Sequence, residues 1–148
     1  PLSFDVTAPT PMPSYKVAGA QFAPGMKLTQ DDGEPVVVNS IFPNSWLSSQ
    51  GVKPGESFKL VGYFSVDRDG VFQFQLQHNA KIALVVDDQP VYRAEHAELT
   101  LDYVPIALQH GLHKIEIVGT ASADARLDVR FGYDGTRRLQ PIAMTHIP

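Results

Sequence analysis

Apolar and polar residues alternate through the second half of the chain. Phe58, Leu60, Gly62, Phe64 and Val66 take one parity, and Ser57, Lys59, Val61, Tyr63 and Ser65 take the other. Beyond Asp67-Arg68-Asp69-Gly70, Phe72, Phe74 and Leu76 alternate with Gln73, Gln75 and Gln77. A period of two sends successive side chains to opposite faces, as a half-buried strand requires. Two such runs around a glycine-containing turn predict an antiparallel hairpin of 57–66 with 70–77. The alternation resumes at Ile82, Leu84 and Val86 and stops at Asp87-Asp88. It returns in a short run at Leu99 and Leu101, then at Val104, Ile106 and Leu108, at Ile115 and Ile117, and at Leu127, Val129 and Phe131. Phe72, Phe74, Leu84, Ile106, Ile115 and Val129 are the expected core. No window carries an i, i+3, i+4, i+7 stripe, so no helix is expected. Short strands between turn residues predict an all-β fold, an antiparallel two-sheet sandwich or barrel.

The first third is less regular. Ala8-Pro9-Thr10-Pro11-Met12-Pro13-Ser14 favours an extended, semi-rigid backbone, and residues 1–14 are read as a linker or N-terminal extension. Residues 15–148 are expected to form a single domain. Within it, Ala23-Pro24-Gly25, Asp31-Asp32-Gly33 and Lys53-Pro54-Gly55 punctuate short apolar runs such as Val36-Val37-Val38 and Ile41-Phe42, which predicts short strands and long loops.

Composition narrows the function. The 148 residues suit one domain able to bury a core without staples. The net charge of −4 and the absence of any basic run longer than Arg137-Arg138 argue against nucleic acid as a partner. The chain has no cysteine, which excludes thiol catalysis and cysteine-ligated zinc. No apolar run approaches the ~18 residues of a membrane span, so direct membrane insertion is not expected. A chain that opens at Pro1 without a methionine or a signal pattern is read as an excised fragment or a processed chain.

From Ser57 to Pro148 the sequence resembles the PA14 family. Asp69-Gly70-Val71-Phe72-Gln73-Phe74-Gln75-Leu76 is similar to the family's "S-G-T-Y-T-F-x-L" strand. Ile82 to Val91 resembles its "R-L-x-I-D-G-x-x-V" stretch, and Val104 to Ile117 its "V-x-L-x-x-G-x-H-x-I-x-V". Phe58 to Phe64 resembles the strand leading into a "G-Y" pair, Leu127 to Phe131 the late "L-x-L-x-W" strand, and Gln140-Pro141-Ile142 the closing tail. The resemblance implies a two-sheet β-sandwich module of the kind carried by glycosidases, glycosyltransferases, adhesins and toxins, several of which bind carbohydrate. It also implies a departure. Sugar-binding members place two adjacent aspartates after the "F-x-L" strand to hold calcium, whereas this chain has Gln77-His78-Asn79-Ala80-Lys81. Ala80 offers no oxygen and Lys81 opposes a cation, so no calcium or other cofactor is expected. Asp87-Asp88 falls one strand later, at a turn.

The candidate ligand-binding residues are therefore His78 and Asn79, with Asp87, Asp88 and Trp46 as neighbours. Their amide, imidazole and carboxylate groups can both donate to and accept from sugar hydroxyls. Trp46, the sole tryptophan, fits a sugar-stacking surface and a core position equally well. His110 and His113 would not share a strand face and lack a third ligand, so no metal site is expected. Asp31-Asp32-Gly33-Glu34 reads as a solvated turn. Nothing places any two of Glu116, Asp124 and Asp128 at the separation of a glycosidase pair, and no nucleophile elbow or phosphate loop is present. The expectation is a non-catalytic module that binds a glycan or polysaccharide. The alternative is a structural domain that packs on neighbouring domains of the same polypeptide.

Overall fold

The protein is described by a computed structural model over residues 12–14, 22–30, 33–38, 52–95, 98–121, 126–133, 139–141 and 144–147. Twelve strands run through these segments: β1 (Ala23–Pro24), β2 (Met26–Gln30), β3 (Val36–Val38), β4 (Ser57–Val66), β5 (Gly70–His78), β6 (Lys81–Val86), β7 (Gln89–Ala94), β8 (Thr100–Leu108), β9 (Gly111–Thr120), β10 (Leu127–Tyr133), β11 (Gln140–Pro141) and β12 (Thr145–His146). They form two sheets. The larger runs β1-β12-β4-β9-β6-β7, with β2 paired to β4 and β3 to β2; the smaller runs β11-β10-β5-β8. The fold is an all-β sandwich of antiparallel sheets, as the alternation predicts.

The two inward parities interlock. Phe58, Leu60, Phe64, Leu84, Ile115 and Ile117 from the larger sheet meet Phe72, Phe74, Leu76, Ile106, Leu127 and Val129 from the smaller. All six residues expected in the core are buried. Aromatic rings fill its centre. Phe74 lies edge-on to Phe64 at 6.0 Å and 4.8 Å from Phe131, which stacks on Phe72 at 5.3 Å.

One predicted pairing does not form. β4 and β5 are not a hairpin: β4 pairs with β9, β2 and β12, whereas β5 pairs with β8 and β10. The Asp67–Gly70 turn carries the chain from one sheet to the other, and the two strands face each other across the core. Period-two alternation specifies which face is buried, and leaves the lateral partner open. The short run at Leu99 and Leu101 is not a separate strand: Leu101 belongs to β8 with Val104, Ile106 and Leu108, Leu99 lies just before it, and both leucines are exposed on the parity opposite the core. Pro105 is tolerated there because β8 is an edge strand. At its far end Met12 docks in parallel, donating from its N–H to the Ala107 carbonyl at 3.0 Å and accepting from the Gln109 N–H at 2.8 Å.

Candidate functional site

His78 ends β5 on the same parity as Phe72, Phe74 and Leu76, and it is 0% exposed. Its Nδ1 donates to the Ala80 carbonyl at 2.9 Å, and its Nε2 lies 2.9 Å from the Tyr92 hydroxyl. That hydroxyl donates in turn to the Asp102 carboxylate. Burial first, and then the hydrogen bond and charge of Asp102, push the Tyr92 hydroxyl pKa far above the usual tyrosine value. The chain His78–Tyr92–Asp102 thus ties β5 and β8 of the smaller sheet to β7 of the larger. The expectation that His78 presents its ring to a ligand is corrected: the ring is inside, engaged with protein groups on both nitrogens.

Asn79 occupies the connection between β5 and β6, half-buried. Its Oδ1 accepts from the Arg126 N–H at 2.6 Å, and its own N–H donates to the Arg126 carbonyl at 3.3 Å. Ala80 beside it is buried in the core.

Asp87 and Asp88 form the two-residue turn between β6 and β7, with φ of 49° and 65°. Paired positive φ values at a hairpin tip are the type I′ turn that matches strand twist, and aspartate tolerates them. Both Asp87 oxygens are engaged: Oδ2 lies 2.6 Å from His113 Nδ1, and Oδ1 accepts from the Lys114 N–H at 2.8 Å. His113 Nε2 donates to the Gln109 carbonyl at 2.7 Å. Burial alone would favour the neutral ring. The Asp87 hydrogen bond, the Gln109 carbonyl and the Asp87 charge outweigh it, and the His113 pKa is raised above the ordinary histidine value. Asp88 is exposed, with Lys114 Nζ 3.6 Å away. His110 is exposed whereas His113 is buried, so the two do not share a face.

These residues do not converge. Asn79 and the aspartate turn lie at opposite ends of β6, about 17 Å of strand apart. Trp46, Asp31, Asp32 and Asp124 lie outside the described residues. Glu116 and Asp128 sit on the outer faces of different sheets, too far apart to act on one bond. Among the described residues no three His, Asp or Glu side chains gather to hold a metal.

The larger sheet instead carries an open groove of about 510 Å³ where β6 begins at Lys81. Register builds it. Thr120 on β9 is paired with both Ser57 and Lys81, and Ala83 with both Val118 and Arg93. The outward parities of four strands therefore line one depression, with Glu95 at its rim 2.5 Å from Arg93 Nε. Gly119 lies in its floor, where a Cβ would stand 2.2 Å from the Lys81 carbonyl oxygen. The groove offers hydroxyls, cationic donors and a carboxylate over an apolar floor. Sequence reasoning missed it because its residues are distant in the chain and only the β4–β9–β6–β7 register brings them together.

No protein-family model and no curated protein sequence matches the chain. Solved structures do. The β-glucosidase of Kluyveromyces marxianus, determined in complex with glucose, aligns over 76% of this chain with a TM-score of 0.58 and 17% identity. The PA14 sugar-binding domain of an RTX adhesin aligns over 65%, with a TM-score of 0.52 and 18% identity. The PA14 domain of the antifreeze protein MpAFP aligns over 62%, with a TM-score of 0.52 and 12% identity. This chain spans 16% of the β-glucosidase and 56% and 52% of the two PA14 chains. At such identities the likeness is one of fold, and the fold of this protein is PA14-like.

Proposed function

We propose that this chain is a non-catalytic carbohydrate-binding module of a larger extracytoplasmic protein, with residues 15–148 as the domain and 1–14 as a linker whose end docks on β8. The observation that carries the reading is the groove lined by Ser57, Lys81, Arg93, Glu95 and Thr120. Its volume lies in the range of small-ligand sites, and its groups match sugar hydroxyls, which donate and accept together. The sugar-binding function named for the RTX adhesin domain of the same fold supports it. The buried methyl of Ala80, with Asn79 Oδ1 already accepting from Arg126, stands where the resemblance would place calcium-holding aspartates; it bears on calcium alone, and the missing pair by itself favours the structural alternative. Binding here is calcium-independent and weak, with Kd on the order of 0.1–1 mM.

A glycan array followed by calorimetric titration of each hit tests the reading. Arg93→Ala and Lys81→Ala should weaken binding, and chromogenic glycosides should not be turned over. Absence of any glycan binding at millimolar concentration would overturn it. The second reading, a domain that packs on a neighbouring domain of the same polypeptide, draws on the apolar side chains exposed on β8 and on the placement of this fold inside the far longer β-glucosidase.

A further inference from the structure

The outer face of the smaller sheet has an unusual composition. Its central strand β5 presents Gln73, Gln75 and Gln77 in line, about 7 Å apart by strand geometry. On one side the edge strand β8 presents Leu101, Tyr103 and Pro105. On the other, β10 presents Asp128, Arg130 and Gly132. Cross-strand register sets them in rows: Leu101–Gln77–Asp128, Tyr103–Gln75–Arg130 and Pro105–Gln73–Gly132. Tyr103 is 53% exposed and Leu101 48%, with Leu99 at 56% just beyond the strand.

We infer that this face is a second carbohydrate-contacting surface, a platform for an extended neutral polysaccharide; the inference rests on the carbohydrate-binding reading above. Charge comes first. The only ionic groups in the rows, Asp128 and Arg130, pair with each other at 3.4 Å, so the face offers nothing net to a charged partner although the chain as a whole carries −4. Hydrogen bonding comes second. Within the described residues the three glutamine amides have no side-chain partner, yet all are half-buried. A folded protein docking on Tyr103 and Leu101 would strand these amides unless each met a matched group, at the cost of burying unsatisfied polar atoms. A glycan chain supplies hydroxyls along its length, and an amide can donate to and accept from them in many registers. Shape comes third. The exposed Tyr103 ring, flanked by Leu101 and Pro105, gives an apolar ledge against which a sugar's C–H face can lie.

The experiment titrates the whole chain with soluble β-glucan, galactan and mannan, each beside its disaccharide. The parent, Tyr103→Ala, Gln75→Ala and Arg93→Ala are compared, with melting temperatures to verify folding. Tyr103→Ala should weaken polysaccharide binding by about tenfold and Gln75→Ala by about threefold, fold changes of the size expected for one aromatic face and one hydrogen-bonding group. Disaccharide binding in the groove should be unchanged by both and lost in Arg93→Ala. Polysaccharide affinity that survives both face substitutions in folded protein, while Arg93→Ala abolishes it, would overturn the platform and leave the groove standing. Polysaccharide binding lost in Tyr103→Ala, with disaccharide binding unaffected by Arg93→Ala, would support the platform and overturn the groove. A parent that binds none of the six probes would overturn both.

Discussion

Replacing Asp87 with alanine should unravel the tie between the β6–β7 hairpin and β9. The carboxylate meets a histidine ring that is 0% exposed, and its own side chain is only 11% exposed. Removing one partner of such a pair leaves the other buried and uncompensated, which costs about 3–5 kcal/mol. That range includes loss of the Lys114 N–H acceptor, itself worth about 1 kcal/mol. In a chain of this size the melting temperature should fall by about 10 °C. The dependence on pH has a definite sign. His113 has a folded-state pKa above its unfolded value of about 6.5, so its stabilisation is complete below about pH 6.5 and declines as the pH rises through the folded value. The gap between parent and Asp87→Ala should thus be widest near pH 6 and narrow toward pH 9. Asp87→Asn, which can keep the turn and the Lys114 bond, should lie between them. Thermal melts followed by circular dichroism across that range provide the measurement. A variant melting within about 2 °C of the parent at pH 6, or a gap that widens with pH, would refute the assignment.

Phe74→Ala should cost about 3–5 kcal/mol, since the ring is wholly buried between Phe64 and Phe131; a parent-like chemical denaturation midpoint would contradict that. Gly119→Ala should destabilise by about 1–3 kcal/mol and blunt the groove, because the new methyl meets the Lys81 carbonyl, and backbone must move; unchanged stability would show that β6 and β9 are farther apart than described. Millimolar calcium, or a chelator, should shift the melting temperature by no more than about 1 °C, since a bound ion would stabilise by mass action; a rise of many degrees would reveal a site.

Much of the fold was legible because alternation is local. The runs at Phe58–Val66, Phe72–Leu76, Ile82–Val86, Val104–Leu108, Ile115–Ile117 and Leu127–Val129 put the right parity inside, whereas the short run at Leu99 and Leu101 lies exposed. Strand partners were not legible, because a strand of given parity can pair with any neighbour that presents the same face; hence the hairpin expected of β4 and β5. The burial of His78 could have been read: it continues the parity of Phe72, Phe74 and Leu76, and its position just before a turn obscured this. Its partners Tyr92 and Asp102 could not, since they come from two other strands. Asp87-Asp88 was recognised as a turn, but the carboxylate's grip on His113 needs the β6–β9 register. Likewise, the glutamine alternation revealed an outward face, and only pairing with β8 and β10 shows what flanks it.

The pairing of β4 with β9 has a consequence for how the chain reaches this state. Its outermost partners, Ser57 and Thr120, lie dozens of residues apart, with β5 to β8 threaded between the two sheets in the interval. Closing such a loop is entropically unfavourable before any contact rewards it, and topologies dominated by distant pairings fold on the millisecond-to-second scale. During synthesis Phe58, Leu60 and Phe64 leave the ribosome well before Ile115 and Ile117 are made, so a strand with a greasy face must wait for its mate. Ser57, Lys59 and Ser65 on the opposite parity of β4 give that waiting strand a polar edge, a service rendered before the folded protein exists.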